Sequence, residues 1–274
     1  YVNLKARPNL NFTIGKQFVN FGGYEYYVNS IRVREFSEFN NLLTAYQAGI
    51  SGNWQVNPDH ELCFQIVNNR NGNDEDIYPT GLPEGTAKAK IPFMYTVNWN
   101  SYYLDKTLQL RYATAVGQQT RKRYSYYFTC GNTYEKGPLL TYLDVMYTRQ
   151  GIDQHGVVSR LPGTPHTAMN TEYLSIIGDV DYRVHPQWNV YVKGAYETAR
   201  VYKSNGDFRK GMYRRSWNAQ SSVEFFPFKQ LDLFVFVLYT YRGVILEKAA
   251  TRMGAIEPDT HRISLGLVYS IPVF

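Results

Sequence analysis

The sequence predicts an all-β chain that folds as a transmembrane antiparallel β-barrel, and three observations support this prediction. Apolar and polar side chains alternate with a period of two over many segments of about ten to fifteen residues. Short connections alternate along the chain with long ones, as in barrels with short turns on one side of the membrane and longer loops on the other. The chain holds 25 tyrosines, and such amphipathic aromatics collect at membrane interfaces.

The alternation is clearest near the C-terminus, at residues 231–242. Val235 and Val237 share one face there, while Asp232 and Arg242 lie on the other. The opposite face is also polar in the other segments, which is the pattern of a strand with lipid on one side and water on the other. Thirteen strands are predicted: 1–6, 10–20, 42–56, 61–70, 91–102, 107–117, 120–130, 138–150, 171–183, 188–202, 213–226, 231–244 and 258–274.

The connections between these strands fall into two classes. The short ones contain Asn, Pro and Asp, as tight turns require, and lie near 6–9, 57–60, 104–106, 185–187 and 226–230. The long ones are 21–41, 71–90, 151–170, 203–212 and 245–259. The connection near residues 117–120 is short where the alternation predicts a long one.

Composition excludes other classes of protein. The mean hydropathy is −0.40 and the longest apolar run, residues 233–239, is well below the roughly 18 residues that a spanning helix needs. The formal net charge is +6, which favours anionic partners. The basic residues do not form a nucleic-acid patch, because they are dense only at 120–123 and 209–215. Cys63 and Cys130 have no metal or redox spacing and are predicted to be free thiols.

The predicted number of strands is odd. Bacterial single-chain barrels have an even number, so we expect N-terminal strands that precede residue 1. One or three further strands would make fourteen or sixteen in all.

Two segments carry a family resemblance. The sequence SLGLVYSIPVF (264–274) looks like the terminal strand of outer-membrane barrels, which ends in Phe, although Phe274 is out of register with Ile263 and Leu265. Pro272 can account for the shift. The sequence IGKQFVNFGGYE (14–25) resembles a strand-to-loop element of the phosphate-selective porin O and P family.

The resemblance implies a sixteen-stranded porin of the bacterial outer membrane, embedded in outer-membrane lipid and commonly trimeric. The third extracellular loop of this family follows the fifth strand and folds inward to narrow the pore. With three strands missing, residues 10–20 become the fifth strand and residues 21–41 become that loop. Residues 1–274 are then a single barrel without its first strands.

The expected function is passive diffusion of small hydrophilic or anionic solutes, which pore diameter and lining charge select. Acidic residues share the polar faces, so each basic residue can either attract anions or pair with a neighbour. The candidate lining residues are Arg32 and Arg34 on the loop, with Arg111, Lys193, Arg214 and Arg242 on the strands.

Neither catalysis nor a bound cofactor is predicted. His261 and Ser264 are three residues apart on one strand, hence on opposite faces, and cannot form a nucleophile and base pair. The acidic residues at 73–76 are ascribed to solubility rather than to a metal site. Two alternatives remain open: a barrel that serves as a scaffold or subunit of a larger outer-membrane complex, and an oligosaccharide channel whose lumen carries tyrosine-rich surfaces.

Overall fold

The computed structural model describes residues 1–19, 21, 46–69, 81–83, 85–87, 89, 92–154, 158–159, 167–228 and 233–269. These residues form one antiparallel sheet in which thirteen strands pair in chain order. The strands are β1 (Val2–Arg7), β2 (Leu10–Phe18), β3 (Tyr46–Asn57), β4 (His60–Asn68), β5 (Phe93–Tyr103), β6 (Leu108–Thr120), β7 (Arg123–Lys136), β8 (Leu139–Ile152), β9 (Met169–His185), β10 (Trp188–Val201), β11 (Gly211–Phe225), β12 (Leu233–Leu246) and β13 (Thr260–Tyr269). A short helix, α1 (Lys248–Thr251), lies between β12 and β13. Within the described part of the chain, no helix is long and apolar enough to cross a membrane.

All thirteen predicted strands are confirmed, with shifts at their ends. The largest shift is at β7, which continues past residue 130 to Lys136. Gly131 and Thr133 lie on one face of this extension and Asn132 on the other, so neither face is apolar. The hydrophobic alternation therefore disappears from the sequence although the hydrogen-bonded ladder continues.

The predicted alternation of connections defines two ends of the sheet. At one end, which we call the short-turn end, neighbouring strands are joined by tight turns such as residues 58–59 and 137–138. Gly137 has a φ of +57°, a conformation that glycine adopts without steric cost. The opposite end is the long-loop end. One connection at this end is short: residues 121–122 join β6 to β7. The sequence pattern predicts this short connection a few residues earlier, near 117–120.

The distribution of side chains between the two faces is the reverse of that in a soluble protein. Val192 and Val237 are 53% and 50% exposed, whereas Lys193 and Asp144 are 1% and 2% exposed. Because no layer of the described residues covers the apolar face, this face requires an apolar surrounding such as lipid hydrocarbon. The outward apolar set includes Tyr95, Val97, Trp99, Tyr126, Phe128, Ile176, Val180, Val190, Trp217, Val223, Val235, Leu265 and Leu267.

The sheet curls so that its polar face is concave. Phe21, just after β2, contacts Tyr127 of β7 with ring centroids 6.0 Å apart, although four strands separate β2 from β7 in the sheet. We call the concave polar face the inner wall and the space in front of it the lumen. The convex apolar face is the outer wall.

The two edges of the sheet are β1 and β13, which do not pair with each other within the described residues. A total of sixteen strands, and the assignment of residues 1–274 to a single barrel, remain predictions.

The outer wall yields a test of membrane embedding. Val237→Arg should reduce the free energy of unfolding in a lipid bilayer by about 2–4 kcal/mol, as cations do near the midplane of a barrel wall. Ile256→Arg is the matched control, because Ile256 is exposed in the connection between β12 and β13 and should tolerate the charge. Urea titration of both variants in phospholipid vesicles measures the difference. Equal stability of the two would contradict the membrane assignment.

Candidate functional site: the charged inner wall

Arg111 of β6 lies on the inner wall and is buried. Its guanidinium lies over the Tyr142 ring, 5.5 Å from the centroid, and its Nη2 donates to Thr133 Oγ1 at 3.4 Å. The Tyr142 hydroxyl donates to Asp144 Oδ2 at 2.8 Å, and Thr129 Oγ1 donates to Asp144 Oδ1 at 2.5 Å. Arg111 is therefore part of a bonded polar network that includes a carboxylate.

Lys193 of β10 is also buried on the inner wall. The ladder places it beside Asp179 of β9 and Gln220 of β11, and Glu197 lies four residues further along the same face. Glu197 accepts from Ser175 Oγ at 3.5 Å and from Ser216 Oγ at 3.3 Å. The carboxylates of Asp179 and Glu197 therefore lie on the same part of the inner wall as the ammonium group of Lys193.

Arg214 of β11 and Arg242 of β12 converge on one carboxylate at the long-loop end. Arg214 Nη2 lies 3.0 Å from Glu257 Oε1, and Arg242 Nη2 lies 2.7 Å from the same oxygen. Glu257 belongs to the connection between β12 and β13, so this connection folds onto the inner wall. The three side chains carry two positive charges and one negative charge.

The long-loop end contains a hydrophobic cluster that fixes several connections together. Phe208, Ala250 and Ala255 pack with Tyr173 and Tyr213. These residues come from the β10–β11 connection, from α1 and the residues after it, and from β9 and β11. The β10–β11 and β12–β13 connections are therefore packed against the sheet, and Glu257 is held by a folded segment.

Asp153 anchors the start of the β8–β9 connection. Its Oδ2 accepts from both the backbone N–H and the Oγ of Ser159 at 2.8 Å each, and the Tyr173 hydroxyl donates to its Oδ1. Ser159 Oγ in turn accepts from the N–H of Ala168 at 2.8 Å. A buried carboxylate needs such donors, and these bonds hold the connection at the rim of the lumen.

A second cluster lines the inner wall nearer β2. Val19 and Phe21 pack with Val67, Met94 and Tyr127, which places the chain after β2 on the lumen side. The predicted loop of residues 21–41 lies outside the described residues apart from Phe21, and Arg32 and Arg34 lie outside them altogether. Their role remains a prediction.

Inner-wall tyrosines are mostly buried in contacts with neighbouring side chains. Tyr127, Tyr173 and Tyr191 are among the most completely buried large side chains of the described residues. Their rings therefore do not form an open surface along which a sugar could slide, as the oligosaccharide alternative requires.

Other sequence expectations can be located as well. His261 accepts or donates a 2.8 Å hydrogen bond with Tyr239 Oη on the outer wall, whereas Ser264 is paired with the inward Leu238, so the two are on opposite faces as predicted. Cys63 and Cys130 are free thiols, as predicted. Residues 73–76 lie outside the described residues. In the described part of the chain, no three His, Cys, Asp or Glu side chains are grouped to hold a metal ion.

The structure places Arg111, Lys193, Arg214 and Arg242 on the inner wall, and it adds Glu257, which the sequence analysis did not identify. It lies in a long connection without periodicity, so no pattern relates it to β11 or β12. The one available signal was that residues 245–259 join the strand of Arg242 to the next.

A curved antiparallel sheet with an apolar outer wall and a charged lumen defines a channel of the outer-membrane β-barrel class. The chain matches the family model "Phosphate-selective porin O and P" over residues 1–271, and it belongs to this family. It is thus a channel for small solutes in the bacterial outer membrane.

Solved structures support the fold at low sequence identity. The outer membrane channel DcaP of Acinetobacter baumannii is 13% identical, with a TM-score of 0.60 over 96% of this chain and 72% of that one. A loop-deletion mutant of OmpT from Vibrio cholerae is 12% identical, with a TM-score of 0.55 over 96% of this chain and 76% of that one. No match is found among curated protein sequences.

The arrangement around Glu257 predicts a change in ion selectivity. Glu257→Gln removes the carboxylate between Arg214 and Arg242, so the long-loop end becomes more positive and the zero-current potential in a salt gradient should shift toward anions. Asp259→Asn is the matched control: Asp259 is exposed, and its Oδ1 accepts from the Val244 N–H at 2.8 Å, a bond that Asn can retain. A planar-bilayer measurement in which both variants shift equally would contradict the assignment of Glu257 to the lumen.

Proposed function

We propose that the chain is a diffusion channel with a preference for small anions, set at the long-loop end of the lumen. The observation that carries this proposal is the convergence of Arg214 and Arg242 on the carboxylate of Glu257. An excess positive charge at an entrance concentrates anions there, and a low-dielectric wall strengthens its field. Guanidinium groups also bind phosphate and carboxylate with paired donors.

The deeper wall has a different charge balance. Asp179, Glu197 and Glu224 are buried on the inner wall there, and Asp179 is opposite Lys193 in the ladder. Asn189 Nδ2 donates to Glu224 Oε2 at 3.0 Å and to Asp181 Oδ1 at 2.7 Å. This excess of carboxylates does not attract anions, so the preference must arise where the pore is narrow and cationic.

The segment 21–41 supplies that narrowing in our proposal. Phe21 and Val19 already lie on the inner wall against Tyr127 and Met94, so the chain enters this segment from within the lumen. Arg32 and Arg34 would add two cations to the constriction. The family name is consistent with phosphate among the permeant anions.

A homotrimer is the proposed assembly. One solved form of OmpT, described as a trimer, is 12% identical to this chain with a TM-score of 0.51. The apolar outer wall permits lateral contacts between barrels within the membrane.

The proposal predicts stepwise conductance and an anion-selective zero-current potential for the purified protein in a planar bilayer. Replacing Arg32 and Arg34 by Ala should lower the anion preference, because two cations leave the constriction. Arg121→Ala with Lys122→Ala is the matched control, since these two exposed cations lie in the tight turn between β6 and β7.

The possible results separate the parts of the proposal. Absence of conductance would refute the channel, and a cation-selective wild type would refute the anion preference. A wild type that prefers anions, with a loop variant that behaves like the turn variant, would refute the constriction assignment alone.

A further inference from the structure

A basic pocket lies at the rim of the long-loop end, outside the lumen. It has a volume of about 770 Å³ and is formed between the β10–β11 connection and α1. Four cationic side chains line it, two from each wall: Arg209 and Lys210 on one side, Lys248 and Arg252 on the other. The dense basic segment at 209–215, noted in the sequence, thus contributes one wall of this pocket.

The carboxylates that line the pocket offset part of this charge. Asp207 and Glu247 are also lining residues, so the pocket carries four positive and two negative charges. Glu247 is engaged by an ion pair with Arg215, whose side chain comes from β11. Counting Arg215, the region is more positive still, and its excess charge favours a ligand with more than one negative charge.

Both walls are held in fixed positions by the protein. In the β10–β11 connection, Asn205 and Phe208 exchange backbone hydrogen bonds of 2.9 and 3.1 Å, and the N–H of Lys210 donates to Ser204 Oγ at 2.8 Å. Phe208 is buried in the same cluster as Ala250 of α1. A shared core beneath the two walls fixes the spacing between their cations, which reduces the cost of ordering them around a ligand.

The pocket is on the membrane-facing side of the rim. Met212 lines it and pairs with Arg200, whose side chain is 49% exposed on the outer wall. Closer to the middle of the wall, Tyr196 and Trp217 form an outward aromatic pair with centroids 5.5 Å apart. Such aromatics mark the level of the lipid headgroups, so the pocket lies at or just beyond that level.

From these observations we infer that the pocket binds a phosphate group carried by a lipid of the outer leaflet. Phosphate matches the donors present, because guanidinium groups bind its oxygens in pairs and lysines bind as point charges. The lipid, rather than the bathing solution, is the source because the pocket opens beside the outer wall, where headgroups are concentrated. Arg200 and Arg149, which share Glu172 at 2.7 and 3.7 Å, extend the cationic surface along the same rim.

The test is a binding titration of the full chain in detergent with three probes: bis-phosphorylated lipid A, lipid A from which both phosphates have been removed, and inorganic phosphate. Two double variants each remove the two cations of one pocket wall. The first is Arg209→Gln with Lys210→Gln, and the second is Lys248→Gln with Arg252→Gln. Each should weaken binding of phosphorylated lipid A by about tenfold or more. Arg121→Gln with Lys122→Gln removes two cations from another long-loop-end turn and should bind as the wild type does.

Three results would overturn the inference. The first is unchanged lipid A affinity in both wall variants, and the second is equal binding of the lipid without phosphates. The third is binding of inorganic phosphate as tight as that of lipid A and equally dependent on both walls, which would assign the pocket to a free anion. Conductance of the wall variants, which should equal that of the wild type, shows that they are folded and separates this result from the channel proposal.

Discussion

The structure depends on one constraint: in lipid, every backbone N–H and C=O of a spanning segment must find its hydrogen-bond partner within the protein. Ladders that join each strand to its neighbours in sequence meet this constraint from β1 to β13, except along the outer edges of β1 and β13 in the described residues. Because side chains alternate along a strand, each side chain points either to the lipid or to the lumen. Val192 and Lys193, adjacent in sequence, lie on opposite walls. Alternate residues of one strand therefore face lipid on the outer wall and water on the inner wall, so the first set is apolar and the second polar.

A polar inner wall brings charges close together, and their pairing determines what the lumen can attract. Arg111 lies in a network with Tyr142 and Asp144, while Arg214 and Arg242 share Glu257. The strands supply the cations, and a connection supplies a carboxylate that offsets part of their charge. A connection can therefore change the charge of the lumen without any change in the barrel wall.

The same constraint explains what the sequence could predict. Lipid exposure imposes a period of two, so all thirteen strands could be predicted, and the polar face of that pattern contains Arg111, Lys193, Arg214 and Arg242. The end of β7 was not, because both of its faces are polar beyond residue 130. The position of Glu257 and the packing of Phe21 on Tyr127 could not be predicted from the sequence either. These contacts join connections to strands far away in sequence, and connections carry no periodicity from which a partner could be read.

Alternation also shows why the net charge of the chain is a poor guide to its selectivity. Arg214 and Arg215 are neighbours, yet Arg214 pairs with Glu257 in the lumen and Arg215 with Glu247 on the outer side of the rim. The formal charge of +6 is therefore divided among surfaces that meet different partners. Arg214 lies on the inner wall, whereas the cations at 209–210, 248 and 252 line a pocket at the rim. An excess of basic residues in a barrel sequence has to be assigned to a wall, residue by residue, before it supports any statement about permeant ions.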